Sequence, residues 1–278
     1  MLPDMSRLNE PPTSDDQDPA TARTAAFGFR DVPEADKASL VQGVFQSVAG
    51  RYDLMNDLMS GGVHRLWKSA LIDWLHPEPG MSLLDVAGGT GDIALRVCQR
   101  LAARQDISGE AALGPSNIIV CDLTPEMLAV GRDRAIDRGM PGQINWLCGD
   151  AEGLPIGDRS VEVYSIAFGL RNVTHIDAAL AEARRVLKPG GRFFCLEFSQ
   201  VVLPLLSRLY DLYSFKVLPA MGGAVTGDPE AYRYLVESIR RFPPQDELAR
   251  RMTTAGLGRV RYRNLTGGIA AIHSGWRI

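Results

Sequence analysis

No apolar run in this chain approaches the roughly 18 to 20 residues that would carry a helix across a bilayer, so any membrane contact is expected to be peripheral. Charge of one sign is also missing: the formal net charge is −3, which gives no bulk attraction to nucleic acid. Cysteine is sparse. Cys98, Cys121, Cys148 and Cys195 lie far apart without a CxxC pair, which argues against a disulfide framework and for a reduced, cytoplasmic protein with small buried thiols. The histidines His64, His76, His175 and His273 show no metal-ligand spacing, and no metal is expected. His64, between Val63 and Trp67, reads as a hydrogen-bonded structural histidine.

What the chain does have is enough apolar content for one sizeable core: 45% hydrophobic residues over 278 positions. Residues 1–36 stand outside it. Pro3, Pro11, Pro12, Pro19 and Pro33, an excess of acids over arginines and no sustained apolar period mark a disordered acidic tail. The tail has neither the apolar stretch of a secretory signal nor the acid-poor composition of a mitochondrial presequence.

Residues 37–278 read as a single domain. From Lys37 to Leu75 the apolar spacing is helical, with Leu40, Val41, Val44, Phe45 and Val48 in a first helix and Leu66, Trp67, Ala70, Leu71, Trp74 and Leu75 in a second. Strand-like runs then alternate with helices, from "SLLDVA" through "NIIVCDL", "INWLCGD" and "VEVYSIAF" to "RFFCLEF". That alternation predicts an α/β fold with a mostly parallel sheet covered on both faces. Between Leu101 and Asn117 the composition predicts an enlarged surface loop. Residues 200–243 read as an insertion over the substrate, opening with an amphipathic helix from Leu203 to Leu218. Another helix starts near Pro244, and "GRVRYRNL" and "IAAIHSGW" read as an antiparallel hairpin on the sheet edge.

The stretch "LLDVAGGTGDIALRV" passes from a strand through Gly88, Gly89 and Gly91 into a helix, so the backbone can approach a ligand closely there. Gly89 to Ala94 also satisfies a dinucleotide pattern, which keeps an NAD-linked oxidoreductase in view. Asp122, after the second strand, is placed to accept hydrogen bonds from two ribose hydroxyls. It lies about 31 residues beyond Gly91, further than the roughly 20 usual for a dinucleotide acid. After the third strand, Asp150 and the backbone N–H of Ala151 can read an adenine edge. A nucleoside ligand fits these positions, and nothing marks a second mononucleotide half.

Two long stretches, "YDLMNDLMSGGVHRLW" and "RVLKPGGRFFCLEFS", together with "LDVAGGTGD", "FGLRNV", "YSFKVLP" and "YRYLVESIRRFPPQDEL", resemble the S-adenosylmethionine-dependent C-methyltransferases of ubiquinone and menaquinone biosynthesis. The resemblance runs from about Phe27 to the C-terminus. It implies a Rossmann-like class I methyltransferase with a seven-stranded sheet and helical lid elements. It also implies S-adenosyl-L-methionine as cofactor, held by Thr90, Asp122, Asp150 and Ala151 beside the turn glycines Gly89 and Gly91. Ala167 stands where the family commonly has serine. The implied substrate is a polyprenylated quinol, in the ubiquinone pathway, the menaquinone pathway or both. A non-catalytic cofactor-binding subunit of a quinone-biosynthesis complex is the remaining alternative, and the sequence leaves open whether the chain forms a homodimer.

Methyl transfer to a ring carbon needs a group that stabilises phenolate charge. "GLRN" supplies Arg171 and Asn172 just past the fourth strand. Because guanidinium stays protonated, Arg171 is assigned to orienting a hydroxyl or water and stabilising the anion. Leu205, Leu206, Leu209, Tyr210, Leu212, Tyr213 and Val217 are candidates for an apolar channel, with ordinary helix packing the commoner reading. Gly61, Gly62, Gly222, Gly223 and Gly227 offer hinge-like freedom to a lid over residues 52–67 and 219–240. Arg240, Arg241, Arg250, Arg251, Arg259, Arg261 and Arg263 suit an anionic membrane surface, although a solvated face explains them too.

Overall fold

At the centre of the computed structural model, which describes residues 23–48, 57, 60–108, 116–202 and 229–278, lies β3 (Ser82–Val86), buried at all five positions. An interior parallel strand needs that unbroken run because helices cover both its faces. β4 (Asn117–Asp122) and β5 (Ile144–Cys148) extend the sheet to one side. β6 (Val161–Ala167) and β7 (Leu187–Phe198) extend it to the other, still parallel. With β8 (Gly258–Leu265) and β9 (Ala270–Trp276) at the far edge, the strand order is β5-β4-β3-β6-β7-β9-β8. The chain thus builds outward from β3 in one direction and then in the other, and that reversal opens a crevice beyond the carboxyl ends of β3 and β6. β8 and β9 make the expected antiparallel hairpin, with β9 slotted between β7 and β8.

α2 (His64–Leu75), α3 (Asp92–Ser108) and α4 (Pro125–Asp137) pack on one face of the sheet through residues such as Leu71, Leu95 and Leu128. α5 (Ile176–Val186) and α7 (Gln245–Thr254) cover the other with Leu180, Ala183, Leu248 and Met252. α2 buries Trp67, Leu71, Ile72 and Leu75, one stripe at helical spacing. It stops where His76 turns left-handed (φ 51°) and donates its N–H back to the Ile72 carbonyl. At the other end of the sheet, the Arg277 guanidinium donates to the carbonyls of Arg184, Arg185 and Leu187 at 2.6–2.8 Å, tying the last strand to the start of β7.

Two expectations change. The stretch read as the end of a disordered tail contains a two-stranded hairpin, β1 (Thr24–Phe27) and β2 (Arg30–Pro33), and then the start of α1 (Glu34–Val48). The hairpin gains its order from α6 (Pro229–Arg241), against which Phe27 is buried. The loop expected after Leu101 is also shorter, because α3 runs on to Ser108. The arginines of the basic C-terminal third lie at a mostly solvated surface, the commoner of the two readings, with Arg241 paired to Asp31, Arg250 and Arg251 to Glu247, and Arg263 over Trp74. Residues 1–22, the rest of the loop at 109–115, and the helix and channel expected at 203–218 lie outside the described residues.

Candidate active site

A cleft opens at the carboxyl ends of the strands, where ligands of such sheets bind. Gly89, Asp122, Asp150, Ala151 and Asn172 all line it. α1 covers it with Val41, Gln42 and Phe45. That helix is fastened down by Lys37, whose ammonium donates to the Val173 carbonyl (2.9 Å), and by His175, whose ring lies between Glu34 (2.8 Å) and Glu152 (2.6 Å). The hydrogen bond to Glu152 and the neighbouring charge of Glu34 raise the His175 pKa.

Both oxygens of Asp122 accept backbone N–H groups, from Gly89 (2.8 Å) and Thr124 (2.9 Å). The side chain therefore spans the turn after β3 and the turn after β4. Burial raises its pKa, and these hydrogen bonds oppose the shift. Asp150 folds its Oδ1 back onto the Glu152 N–H at 2.9 Å, an Asx turn that shapes the loop at the far end of the cleft. Two non-glycine residues at the crevice, Ala87 (φ 49°) and Phe168 (φ 59°), sit in the left-handed region. Such strain, at the ends of the two strands that flank the reversal, is characteristic of ligand-binding turns. A Cβ on Gly169 would approach that of Ala87 to 2.4 Å, so the two turns meet only because residue 169 is glycine.

A smaller cavity adjoins the cleft through Ala87, Gly89 and Phe168 and is polar at its inner end, where Lys68, Asp85, Thr90 and Asp92 meet; Ala167 also lines it. The buried Lys68 ammonium pairs with Asp92 at 2.8 Å. Burial pushes the Asp92 carboxyl up, but Lys68 and Arg96 outweigh it and hold the pKa below its ordinary value. Asp85 is fully buried. Its Oδ1 accepts from the Ser165 hydroxyl (2.7 Å), while its Oδ2 has no partner among the described residues. Burial, only partly offset by Ser165 and Lys68, raises its pKa to about 7.

Other expected site residues sit differently. Gly91 is not among the lining residues; a Cβ there would come within 2.5 Å of the Trp146 indole, so close packing together with a φ of 74° accounts for it. The Thr90 hydroxyl accepts from Arg134 at 3.0 Å. Arg171 is buried behind the cleft, its Nη1 donating to Glu197 (2.7 Å) and to the Phe168 carbonyl (2.6 Å), its guanidinium over the Phe198 ring. Its Nε and Nη2 have no partner among the described residues. Asn172 faces the cleft and accepts from the Tyr234 hydroxyl at 3.1 Å. His64 is structural, as expected: buried, bonded to Ser60, and with its pKa lowered to about 4 by burial and by Lys68.

Sequence reasoning missed Lys68, Asp85 and Tyr234. Only Asp85 carried a signal, as the one charged residue inside the run "SLLDV".

The profile of the ubiE/COQ5 methyltransferase family matches residues 32–277. The chain is 54% identical over 259 residues, 93% of its length and 99% of the relative's, to the ubiquinone/menaquinone biosynthesis C-methyltransferase UbiE of Dinoroseobacter shibae. It is 52% identical over 274 residues, 91% of its length and 84% of the relative's, to the mitochondrial 2-methoxy-6-polyprenyl-1,4-benzoquinol methylase of Homo sapiens. Among solved structures, a SAM-dependent methyltransferase of Thermotoga maritima matches 86% of this chain and 100% of its own, with a TM-score of 0.59 at 18% identity. That likeness is one of fold.

Proposed function

The chain belongs to the ubiE/COQ5 methyltransferase family, and from that premise we propose that it methylates a ring carbon of a polyprenylated benzoquinol, of demethylmenaquinol, or of both. The observation that carries the reading is a pair of neighbouring cavities that share Ala87, Gly89 and Phe168, one lined by Asp122, Asp150 and Ala151 and the other by Lys68, Asp85 and Asp92. S-adenosylmethionine is polar at both ends, with a nucleoside at one and a zwitterionic amino acid at the other. When bound, it supplies the methyl group and a sulfonium leaving group.

The chain's residues fit that molecule. Asp122 is a carboxylate acceptor in the cleft, suited to ribose hydroxyls, and Asp150 with the Ala151 N–H suits an adenine edge. Lys68 is a buried cation suited to a carboxylate, and the unpartnered Asp85 Oδ2 is an acceptor suited to an ammonium. Gly89 lines both cavities, and a Cβ there would come within 3.1 Å of Met127.

For the quinol, Asn172 offers a polar group inside the cleft, and Arg171 offers two unused donors behind it. Held by Glu197, the guanidinium supports negative charge on a ring oxygen or on a water beside it without giving up a proton. α1 keeps bulk water from the cleft. No helix among the described residues is long and apolar enough to cross a membrane, and the four cysteines are free. We place the protein in a reducing cytoplasm, meeting its prenylated substrate peripherally at the membrane face.

Calorimetry with S-adenosylmethionine against NAD, followed by turnover on a demethylated quinol extract, tests this reading. Binding of the methyl donor with methylation of the quinol ring is the expected result. Preference for NAD, or donor binding without turnover, overturns it.

A further inference from the structure

We propose that Tyr234 is a positioning residue for the methyl transfer, fixing which end of the Asn172 amide faces the cleft, and that the N-terminal β1–β2 hairpin holds Tyr234 in place. The inference rests on the reading that Asn172 stands at the reaction site.

Tyr234, Glu237 and Arg241 fall at i, i+3 and i+7 of α6, so they share one face of the helix. The hairpin meets all three. The Phe27 ring stacks on Tyr234 with centroids 4.3 Å apart, the Phe29 N–H donates to Glu237 at 2.9 Å, and Asp31 pairs with Arg241 at 2.9 Å. The turn between the strands sits so close that any side chain on Gly28 (φ +61°) would run into Glu237. Phe27 and Tyr234 are both buried, which leaves the tyrosine ring little freedom.

At the far end of that ring the hydroxyl donates to Asn172 Oδ1 at 3.1 Å. Burial raises the phenol pKa, so the group stays a donor throughout the working pH range. An amide has one acceptor oxygen and one NH₂ donor group. With its oxygen held by Tyr234, Asn172 turns the NH₂ toward the cleft it lines. A donor there suits an oxygen that gains negative charge as the ring attacks. A flipped amide would offer the oxygen instead, and repel that charge.

The test is a double-mutant cycle in the full chain, read as kcat and KM with a short-chain demethylated quinol. Tyr234→Phe keeps the stacked ring and removes only the hydroxyl. It should lower kcat about tenfold, the scale of one lost orienting hydrogen bond, with melting temperature and KM for S-adenosylmethionine unchanged. In an Asn172→Ala background the same change should do nothing further. Asn172→Asp, which still accepts from Tyr234 but has no donor, should be as slow as Asn172→Ala. Phe27→Leu, which weakens the grip on the ring, should lower kcat in the wild type and leave the Asn172→Ala protein unaffected. Wild-type kcat in Tyr234→Phe, losses that multiply in the double mutant, or a fall in melting temperature alone would each overturn the proposal. Should Asn172→Ala itself turn over normally, the reading of the reaction site fails, and this proposal with it.

Discussion

Replacing Asp122 by alanine separates its two tasks. A carboxylate offers about four lone-pair sites, and the Gly89 and Thr124 N–H groups occupy two of them. The Thr124 side chain and the Leu123 N–H also act on this carboxylate, and the ribose hydroxyls are assigned to the acceptor capacity left beside them. Each charge-assisted bond is worth about 1.5–3 kcal/mol, so the loss of even one should weaken S-adenosylhomocysteine binding at least about tenfold. Alanine also strips the acceptor from two part-buried backbone donors, at about 1–3 kcal/mol each. At about 2–4 °C per kcal/mol for a chain of this class, the melt should fall by about 4–24 °C. Asp122→Asn keeps the shape and sets an NH₂ against one of those donors or one of the hydroxyls, so it should lose affinity with a smaller loss of stability. The assay is calorimetric titration of each variant well below its own melt, paired with a thermal scan. A folded Asp122→Ala protein that binds with wild-type affinity would remove the ribose role, and a lowered melt alone would leave Asp122 only as the brace between two turns.

Asp85, with its pKa raised from 3.8 to about 7 by burial, keeps a proton in the folded state that the unfolded chain gives up. Stability should therefore be highest below the lower value, fall as pH rises through about 7, and level off above it. Asp85→Asn should flatten that fall and melt higher than wild type in mild alkali while binding S-adenosylmethionine less well; urea titrations across this range check it. Arg171→Met leaves the buried Glu197 carboxylate without its cation and should destabilise the fold by about 3–5 kcal/mol. Arg171→Lys keeps the charge but loses the planar fork, so turnover per folded molecule should drop roughly a hundredfold with cofactor affinity retained, as single-turnover assays beside a thermal melt would show. Native-state alkylation should modify Cys148 first, because it is exposed, whereas burial pushes the Cys98 and Cys121 thiols up to about 11 and 12 and raises the Cys195 thiol well above its ordinary value; peptide mapping reads the order.

The sheet, and the gathering of Gly89, Asp122 and Asp150 at one cleft, were legible in the sequence because their signals are local. A strand, a turn glycine and an acid follow one another within a few residues at Gly89, Asp122 and Asp150, and the parallel fold brings such strand ends to one side. What was not legible depends on distant packing. Lys68 lies on an amphipathic helix, where a lysine normally reads as solvated; only the passage of α2 beside the β3 turn buries it against Asp92. The β1–β2 hairpin has four residues in each strand and buries only Phe27 among them, too little for an apolar period, and it is held by partners about 200 positions away. Gly91 was legible as a turn residue but not as the seat of the Trp146 indole. Arg171 was legible as a cation near the crevice, and Glu197, 26 residues on, decided which way it faces.

The reversed direction of β9 sets where the molecule can be held. The parallel strands deliver their carboxyl ends to the crevice, but β9 runs against β7, so Arg277 emerges at the opposite rim, pinned to the carbonyls that precede and begin β7. An affinity tag, a surface linker or a fused fluorescent domain joined after Ile278 would therefore hang from the floor of the sheet and leave the cleft clear. The same cargo joined ahead of Thr24 would sit beside the hairpin that grips α6.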